Sequence, residues 1–398
     1  MNNSEEKNSQ AQHKHAVAVP DCGFYLNTIY FYLTEGCNLR CRHCWIAPKF
    51  EQGKPKYPTL DFELFKDIIE QGKQLGMRSV KLTGGEPLIH PDIEKILDYI
   101  YENELHLTIE TNGVKCTPEI VSKIIKTKHP FVSISLDGSD AATHEWVRGV
   151  DGCFDAAIQG AKNLINAGLR PQFIMSIMKH NVEQMESVVR LAEEIGAESV
   201  KFNIVTPTAR GEQMHEAGET IPIEQLIKLG SWVENELASN SKIRIVYSHT
   251  PAFRPLSKTF SKGNGRCGIF GIIGVLGTGK YALCGIGETV PELCFGHASK
   301  DKLVDIWNNN QILNDIRKNL PVNLKGICQD CIMKNTCLGS CIAMNYYRHK
   351  DLMAPFWYCE EALQSGLFPQ SRLKPGSKSD ELLKNKPHCS KNNLEKYR

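Results

Sequence analysis

The sequence lacks any long apolar run. No stretch of roughly 18 or more consecutive apolar residues occurs in the chain of 398 residues, which argues against a membrane-spanning helix. The first twenty residues contain no apolar segment of the kind that signal peptides carry. We therefore expect a cytoplasmic protein that has no membrane partner.

The sequence also lacks an excess of either charge. Its 47 Lys and Arg residues nearly balance its 45 Asp and Glu residues, so the formal net charge is +2. Proteins that bind nucleic acids usually carry a basic surface field, and this composition does not provide one. We therefore expect no nucleic-acid partner.

Cysteine, in contrast, is abundant. The chain has 15 cysteines, of which three lie between positions 37 and 44 and eight between positions 267 and 359. A chain of this length does not need disulfides to fold, and export is not predicted. Cysteines at short, fixed spacings in a reducing compartment indicate metal binding instead.

Short β-rich runs alternate with helical patterns through the first part of the chain. The six runs begin at Thr28, Ser79, His106, Phe131, Gln172 and Ser199. This alternation predicts an α/β fold with a parallel sheet, and periodicity alone leaves open whether the sheet closes into a barrel. Helix starts are predicted at Thr117, which precedes a proline, and at Asn181, as a capping box with Gln184.

The composition changes along the chain and predicts four segments. Residues 1–22 are expected to form a mobile tail, and residues 23–240 the α/β domain. Residues 241–362 combine frequent glycines with clustered cysteines, which predicts a second domain organised by metal. Residues 363–398 are Lys-rich and are expected to form a loosely ordered C-terminal tail.

The first cysteine group directly follows the first predicted strand. Cys37, Cys41 and Cys44 have the spacing C-x3-C-x2-C. Structural zinc sites generally have four ligands, and no nearby fourth ligand is evident. Three thiolates suit an iron–sulfur cluster that keeps one iron open for a substrate. Because thiolate sites hold both metals, zinc stays the alternative on spacing alone.

With His43 in the place of an aromatic residue, this segment resembles the signature of the radical S-adenosylmethionine (SAM) superfamily. The resemblance implies a partial (β/α)6 barrel that carries a [4Fe-4S] cluster and SAM. Gly84, Gly85 and Glu86, followed by a proline, close the second strand and resemble the family segment that receives the methionine amino group.

The same resemblance implies further SAM-binding positions at Asn112, Ser135, Arg148 and Met175. A solvated surface residue is the alternative interpretation of Arg148, and a core residue is that of Met175.

The C-terminal cysteines resemble those of the SPASM extension, which holds two auxiliary iron–sulfur clusters in peptide-modifying radical SAM enzymes. The resemblance implies two ligand sets, Cys267, Cys284 and Cys341 for auxiliary cluster I and Cys328, Cys331, Cys337 and Cys359 for auxiliary cluster II. Three [4Fe-4S] clusters are then expected in all. A zinc ribbon is the alternative. Cluster I either takes Cys294 as a fourth ligand or keeps an open iron.

The resemblance implies an oxidoreductase that acts on peptides. Reductive cleavage of SAM would give a 5′-deoxyadenosyl radical that abstracts hydrogen from a peptide residue, which leads to oxidation, crosslinking or epimerisation. The alternative is an enzyme that modifies porphyrin side chains in haem biosynthesis. A non-catalytic iron–sulfur electron carrier is a remote alternative, because such a protein has no use for a SAM-binding segment.

The resemblance also implies partners. We expect an external electron donor such as flavodoxin or ferredoxin. Only about 27 residues precede the first predicted strand, which leaves little room for a leader-binding domain. Leader recognition is then expected to need a separate leader-binding protein or the C-terminal domain, and a small-molecule substrate is the alternative. No catalytic acid or base is evident. Glu212, His215 and Glu216 follow the sixth strand, where a solvated loop explains them equally well.

Overall fold

The structure is a computed structural model that describes residues 19–48, 57–259 and 267–385. Within these residues ten strands form one sheet. Their bounds are β1 Thr28–Tyr32, β2 Ser79–Thr83, β3 His106–Thr111, β4 Lys128–Ser135, β5 Gln172–Ile177, β6 Ser199–Ile204, β7 Arg244–Tyr247, β8 Ile272–Val275, β9 Lys280–Ala282 and β10 Cys294–His297.

The sheet is open and mostly parallel. Its strand order is β10-β9-β8-β1-β2-β3-β4-β5-β6-β7, so β10 and β7 are the two edges. In this order, the eight strands β8 and β1 to β7 pair with one another in parallel. Strand β9 pairs antiparallel with both β8 and β10. The predicted α/β fold is confirmed, and the six predicted strands are β1 to β6. Strands β7 and β8 extend the parallel sheet past the boundary predicted at residue 240.

Seventeen α-helices are present among the described residues. They are α1 Phe62–Gln74, α2 Ile93–Glu102, α3 Pro118–Ile124, α4 Ala141–Arg148, α5 Cys153–Asn166, α6 Met185–Ile195, α7 Arg210–Glu216, α8 Ile223–Trp232, α9 Ala238–Asn240, α10 Leu256–Thr259, α11 Leu303–Asn309, α12 Gln311–Asn319, α13 Gly326–Asp330, α14 Lys334–Cys337, α15 Ile342–His349, α16 Trp357–Gln364 and α17 Lys378–Lys384. A π-helical turn, Val233–Leu237, joins α8 to α9. None of these helices is long and apolar enough to cross a membrane.

Each strand of the parallel sheet presents two different faces. On β1, Ile29 and Phe31 are fully buried in the main hydrophobic core, whereas Tyr30 between them is only partly buried. The same alternation runs through β2, β3, β5 and β6, because successive side chains of a strand point to opposite faces. We call the less buried side the inner face. It comprises Tyr30, Tyr32, Lys81, Thr83, Glu110, Ser135, Ile174, Ser176, Lys201 and Asn203.

The cysteine-rich region shares its core with the parallel sheet. The indole of Trp307 is fully buried and donates a hydrogen bond to the Phe24 carbonyl over 2.8 Å. The backbone N–H of Leu303 donates to the side chain of Gln71 on α1 over 2.6 Å. One hydrophobic cluster contains residues of both regions, so the two predicted domains pack as one unit.

Residues 363–385 differ from the loose tail that the sequence predicts. Phe368 and Leu373 are buried in the core, and Leu373 forms an isolated β-bridge with Cys331. The hydroxyl of Ser379 on α17 donates to Asp330 over 2.6 Å. The many lysines of this segment led to the prediction of a loose tail, although its apolar residues pack in the core. Residues 1–18 and 386–398 lie outside the described residues.

The two predicted helix starts have different outcomes. The Thr117 hydroxyl accepts a hydrogen bond from the Ile120 N–H over 3.4 Å and caps α3, as predicted. The capping box predicted at Asn181 does not form, because its amide is used elsewhere. Its oxygen accepts from the Met178 N–H over 2.8 Å, and its nitrogen donates to the carbonyls of Asp137 and Ser176.

Candidate functional site

A cleft with about 940 Å³ of atom-free space opens to solvent at the carboxyl ends of the parallel strands, where ligands bind in α/β folds. Residues from all of β1 to β6 line it, so the inner face is concave. Ten residues predicted to bind the cluster or SAM come together here, namely Cys37, Cys41, His43, Cys44, Gly84, Gly85, Glu86, Asn112, Ser135 and Arg148.

The three cysteines of the first motif converge at one side of the cleft. Burial raises the pKa of the Cys37 thiol, and nearby Cys41 and Glu86 raise it further. Burial and Cys41 also raise the pKa of Cys44, to about 11. Cys41 raises the pKa of both neighbouring thiols, and a cation that binds the three thiolates would remove this repulsion, so the donor set fits a metal cluster.

The glycines after β2 allow close packing against the cysteine loop. A Cβ on Gly85 would lie 1.8 Å from the carbonyl oxygen of Gly36, so no larger residue fits. Gly84 has a φ of +126°, a conformation that side chains rarely adopt, and its Cβ would meet the backbone of β1 at 3.0 Å. Gly85 therefore lets the turn after β2 pack directly on the start of the cysteine loop, and Gly84 lets the same turn pack on the end of β1.

Glu86 is buried, and both its carboxylate oxygens are engaged by the protein. One oxygen accepts from the Thr111 hydroxyl over 2.6 Å and from the Leu88 N–H over 3.1 Å. The other accepts from the Asn112 N–H over 2.8 Å. The Asn112 side chain in turn donates to Asn38 over 2.7 Å, which fixes the loops after β1, β2 and β3 relative to one another.

Arg148 is buried, contrary to its solvated interpretation. It is 7 % exposed, and its Nη1 donates to the sulfur of Cys41 over 3.4 Å. Its Nε lies 2.7 Å from Oδ2 of fully buried Asp137, an ionic contact without hydrogen-bond alignment. Arg148 holds the pKa of Asp137 below its usual value, against the opposing effect of burial. Asp137 was missed by the sequence analysis; its position just after β4 was the available signal.

His43 presents an unsatisfied nitrogen at this site. Its Nδ1 is buried and has no hydrogen-bond partner among the described residues, and its Nε2 lies 3.9 Å from Asp137. Burial lowers the pKa of His43 to about 4, so the ring is neutral near pH 7. A buried nitrogen without a partner is satisfied when a bound group supplies one, which fits a cofactor here.

Met175 does not join the other predicted SAM-binding residues. It is fully buried in the main core on the helix-covered face of β5, as its core interpretation implies. Its neighbours Ile174 and Ser176 line the cleft instead. Strand alternation around Met175 was the signal for this orientation.

The cysteines predicted for auxiliary cluster I lie near one another. Cys267 is an exposed residue, and desolvation by the surrounding protein together with the nearby Cys341 raises the pKa of its thiol to about 12. Burial also raises the pKa of Cys284, with further contributions from Cys341 and Cys267. The backbone of Cys284 packs against Gly274 of β8, where a Cβ would come within 2.9 Å. The sheet therefore brings this group next to β1.

The four cysteines predicted for auxiliary cluster II line one small cavity of about 310 Å³ of atom-free space, namely Cys328, Cys331, Cys337 and Cys359. Burial and neighbouring cysteines raise the pKa of Cys328 to about 11 and that of Cys337 to about 12. Thr250, in the loop after β7, shares a hydrogen bond of 3.4 Å with the Cys359 sulfur. Four converging thiols around a cavity fit a four-cysteine cluster.

Of the remaining cysteines, Cys153 packs beside Cys41 of the first motif in a small buried cluster. Cys294 on β10 points to the Gly287 carbonyl, at 3.6 Å, and no cysteine is among the groups that shift its pKa. All fourteen cysteines that the structure describes are free thiols, and Cys389 lies outside the described part. Among the described residues, no three His, Cys, Asp or Glu side chains are arranged to hold a single metal ion.

Two features of the inner face were missed by the sequence analysis. Tyr32 lines the cleft and packs against Gly285, next to the first auxiliary group, and nearby Cys284 adds to the effect of burial in raising its pKa. Deeper in the fold, Lys81 forms an ion pair of 2.6 Å with Glu110. The period-2 pattern of the strands was the available signal.

Known proteins resemble this chain over most of its length. Residues 31–220 match the radical SAM superfamily. The "AdoMet-dependent heme synthase" of Methanosarcina barkeri is 29 % identical over 82 % of this chain and 94 % of its own length. The "Mycofactocin maturase MftC" of Mycolicibacterium smegmatis is 27 % identical over 87 % of this chain and 86 % of its own length.

Solved structures share the fold. Streptococcus suis SuiB bound to S-adenosylmethionine superposes with a TM-score of 0.65 at 20 % identity, over 83 % of this chain and 76 % of SuiB. SuiB bound to its precursor peptide SuiA gives the same TM-score over 85 % of this chain. The cysteine-lined cleft lies at the strand ends, within the part of the chain that matches the superfamily. The relatives match both halves of the chain, so these findings point to the same family. Residues 31–220 form a radical SAM domain, and the chain is a radical SAM enzyme, which implies a [4Fe-4S] cluster and SAM as cofactors.

Proposed function

We propose that this enzyme modifies a peptide. The observation that carries the proposal is the convergence of ten predicted cofactor residues in one cleft that continues into an open, polar inner face. MftC is named as a maturase, and SuiB was solved with a precursor peptide, so the shared fold accommodates such substrates. Oxidation, crosslinking and epimerisation are the outcomes that this function comprises.

In this proposal Cys37, Cys41 and Cys44 hold the cluster that binds SAM. When bound, the cluster and SAM supply a 5′-deoxyadenosyl radical that removes a hydrogen atom from the substrate. The protein binds and orients the substrate, and it excludes water from the site. Arg148 fixes Cys41 by its hydrogen bond of 3.4 Å. Glu86 fixes the SAM-binding loop through three hydrogen bonds from the protein.

The polar groups proposed to face SAM are few. Gly84 and Gly85 present backbone groups at the cleft, and Ser135 and the neutral imidazole of His43 present side chains. Neutral His43 can donate or accept one hydrogen bond at Nδ1 without a charge cost. Asn112 is proposed to help shape the site, since its side chain is engaged by Asn38 and by the Val114 N–H.

Two auxiliary clusters complete the proposal, for three in all. Cys328, Cys331, Cys337 and Cys359 hold the second, in the cavity that they line. Cys267, Cys284 and Cys341 hold the first, which keeps an iron without a cysteine ligand, because Cys294 points to the Gly287 carbonyl. Residues 23–240 form the catalytic part and residues 241–362 the cluster-binding part. An external electron donor and a separate leader-binding protein stay predictions.

The test uses the protein reconstituted without oxygen, together with SAM, a reductant and the peptides encoded beside its gene. We expect 5′-deoxyadenosine to form and the mass of one peptide to change. Loss of two hydrogens indicates a crosslink, and uptake of deuterium from heavy water indicates epimerisation. SAM cleavage without a change in any peptide would count against a peptide substrate.

A porphyrin substrate is the second candidate. The relative named heme synthase matches the chain at 29 % identity and covers 94 % of that protein's length. Turnover of a porphyrin, together with no change in any peptide, would select this function. Porphyrin-pathway genes as neighbours would support the same conclusion.

A further inference from the structure

The inner face carries a lysine that no part of the proposed chemistry uses. Lys201 lies on β6, two residues before Asn203, so both side chains point to the same side of the sheet. Asn203 lines the cleft. Lys201 also pairs in register with Ile174 of β5, another cleft residue. Lys201 therefore lies one layer deeper than the cleft lining, within reach of a bound substrate.

Three charged side chains share this layer. Lys81 forms an ion pair of 2.6 Å with Glu110, and its ammonium also lies 4.8 Å from the centre of the Tyr30 ring. Among the described residues Lys201 forms no ion pair or hydrogen bond through its side chain. The layer thus contains two cations and one anion.

The pKa of Lys201 reflects this excess of one positive charge. Burial lowers its pKa, and Lys81 lowers it further, whereas Glu110 raises it. Glu110 is already paired with Lys81, so it compensates Lys201 only in part. A half-buried ammonium without a counter-ion is unfavourable, and a bound anion removes that cost.

The layer is also accessible. The side chain of Glu110 is 39 % exposed and lines the cleft, although the surrounding strands are buried on their other face. Space therefore reaches from the SAM-binding end of the cleft to this charged layer. A substrate group that extends from the SAM-binding end of the cleft into this layer would contact Lys201.

We propose that Lys201 binds a carboxylate of the substrate at the inner face of the sheet, with Lys81 as the neighbouring cation. The inference rests on the proposed function, because it assigns the carboxylate to a peptide. Two sources supply the same chemistry, an Asp or Glu side chain and the C-terminal carboxylate. Lys201 is in this role a specificity-determining residue, and it sets the position of the target relative to SAM.

The test is a binding selection with a library of short random peptides, made both with a free C-terminal carboxylate and with a C-terminal amide. The full-length protein, reconstituted without oxygen and loaded with SAM, is the bait. Lys201→Met removes the charge, and Lys201→Arg keeps it. Lys126→Met removes an exposed lysine in the turn between α3 and β4 and is the matched control.

For the wild type we expect carboxylate peptides to bind roughly tenfold or more tightly than their uncharged counterparts, as a charge-assisted hydrogen bond implies. Enrichment of Asp or Glu identifies a side-chain carboxylate, and preference for the free acid over the amide identifies the C-terminus. Lys201→Met should lose the preference, whereas Lys201→Arg and Lys126→Met should keep it.

Each other outcome overturns the inference. Peptides that bind the wild type without any preference for carboxylates refute the role of Lys201 and leave the peptide function standing. A preference that persists in Lys201→Met places the carboxylate elsewhere. If no peptide binds the SAM-loaded wild type, the inference falls together with the proposed peptide substrate. If Lys201→Met fails to fold, a wild type without any preference for carboxylate peptides still refutes the inference, and Lys201→Arg still tests whether a cation at this position keeps the preference.

Discussion

Arg148 donates a hydrogen bond from Nη1 to the sulfur of Cys41 over 3.4 Å. The same guanidinium forms an ion pair with Asp137, which is fully buried after β4. A cation that contacts a proposed cluster ligand and a buried carboxylate together joins the cysteine loop to the sheet. Its role is therefore structural as well as electrostatic.

Replacing Arg148 should have a large effect. Arg148→Met leaves Asp137 buried without its cation, and breaking such a pair typically costs about 3–5 kcal/mol. We expect a lower unfolding temperature and less bound iron. Arg42→Met is the control, because Arg42 is exposed and stacks on Trp146 at 4.1 Å. Arg148→Met with Asp137→Asn should recover part of the stability; equal stability of wild type and Arg148→Met would refute the coupling.

The SAM cluster should be separable from the auxiliary clusters. Replacing Cys37, Cys41 and Cys44 together by Ala should abolish 5′-deoxyadenosine formation, because no thiolate remains in the cleft to hold the cluster whose open iron would bind SAM. Bound iron should fall by about four per chain, the content of one such cluster. A triple variant that still cleaves SAM would show that the active cluster lies elsewhere.

Cys284 and Cys294 should differ in their effect on iron binding. Cys284→Ala should lower the iron content, since burial, Cys341 and Cys267 all raise the pKa of its thiol. Cys294→Ser should keep the iron of the wild type, because the Cys294 thiol faces the Gly287 carbonyl. Iron and sulfide analysis measures both. Equal losses in the two variants would make Cys294 the fourth ligand of the first auxiliary cluster.

Gly85 should tolerate no side chain. In Gly85→Ala the new Cβ would lie 1.8 Å from the Gly36 carbonyl oxygen, so the SAM-binding loop must move away from the cysteine loop. We expect SAM affinity, measured by equilibrium binding, to fall strongly. Gly168→Ala is the control, because its Cβ meets nothing within 4 Å and only the cost of its φ of +88°, about 1–2 kcal/mol, remains. Unchanged SAM affinity in Gly85→Ala would contradict the close packing.

The six central strands of the sheet could be predicted from the sequence. Strands β1 to β6 have five to eight residues each and are separated by helices. Apolar residues recur at every second position in most of them, and this pattern predicts strands. Strands β8, β9 and β10 have four residues or fewer and contain glycines such as Gly274 and Gly296. Such short segments carry too little pattern to predict a strand. The pairing of β8 with β1, which also places β9 and β10, joins parts of the chain that are far apart in sequence.

The candidate site was accessible where motifs are local. The spacing of Cys37, Cys41 and Cys44 predicted a shared loop, and the structure brings these residues to one cleft. The burial of Arg148 was not accessible, because its partner Asp137 comes from a different element. The role of Asn181 was misjudged because a polar side chain that resembles a cap satisfies buried carbonyls instead.

The central claim is that three cysteine groups of this chain each hold a four-iron cluster, one of which cleaves SAM. Iron analysis of the protein reconstituted without oxygen, together with a 5′-deoxyadenosine assay on the same sample, tests this claim most directly. We expect about twelve irons per chain, as three four-iron clusters require, and 5′-deoxyadenosine on reduction. About four irons, or zinc in place of iron, would contradict the two auxiliary clusters, and absence of 5′-deoxyadenosine would contradict the catalytic one.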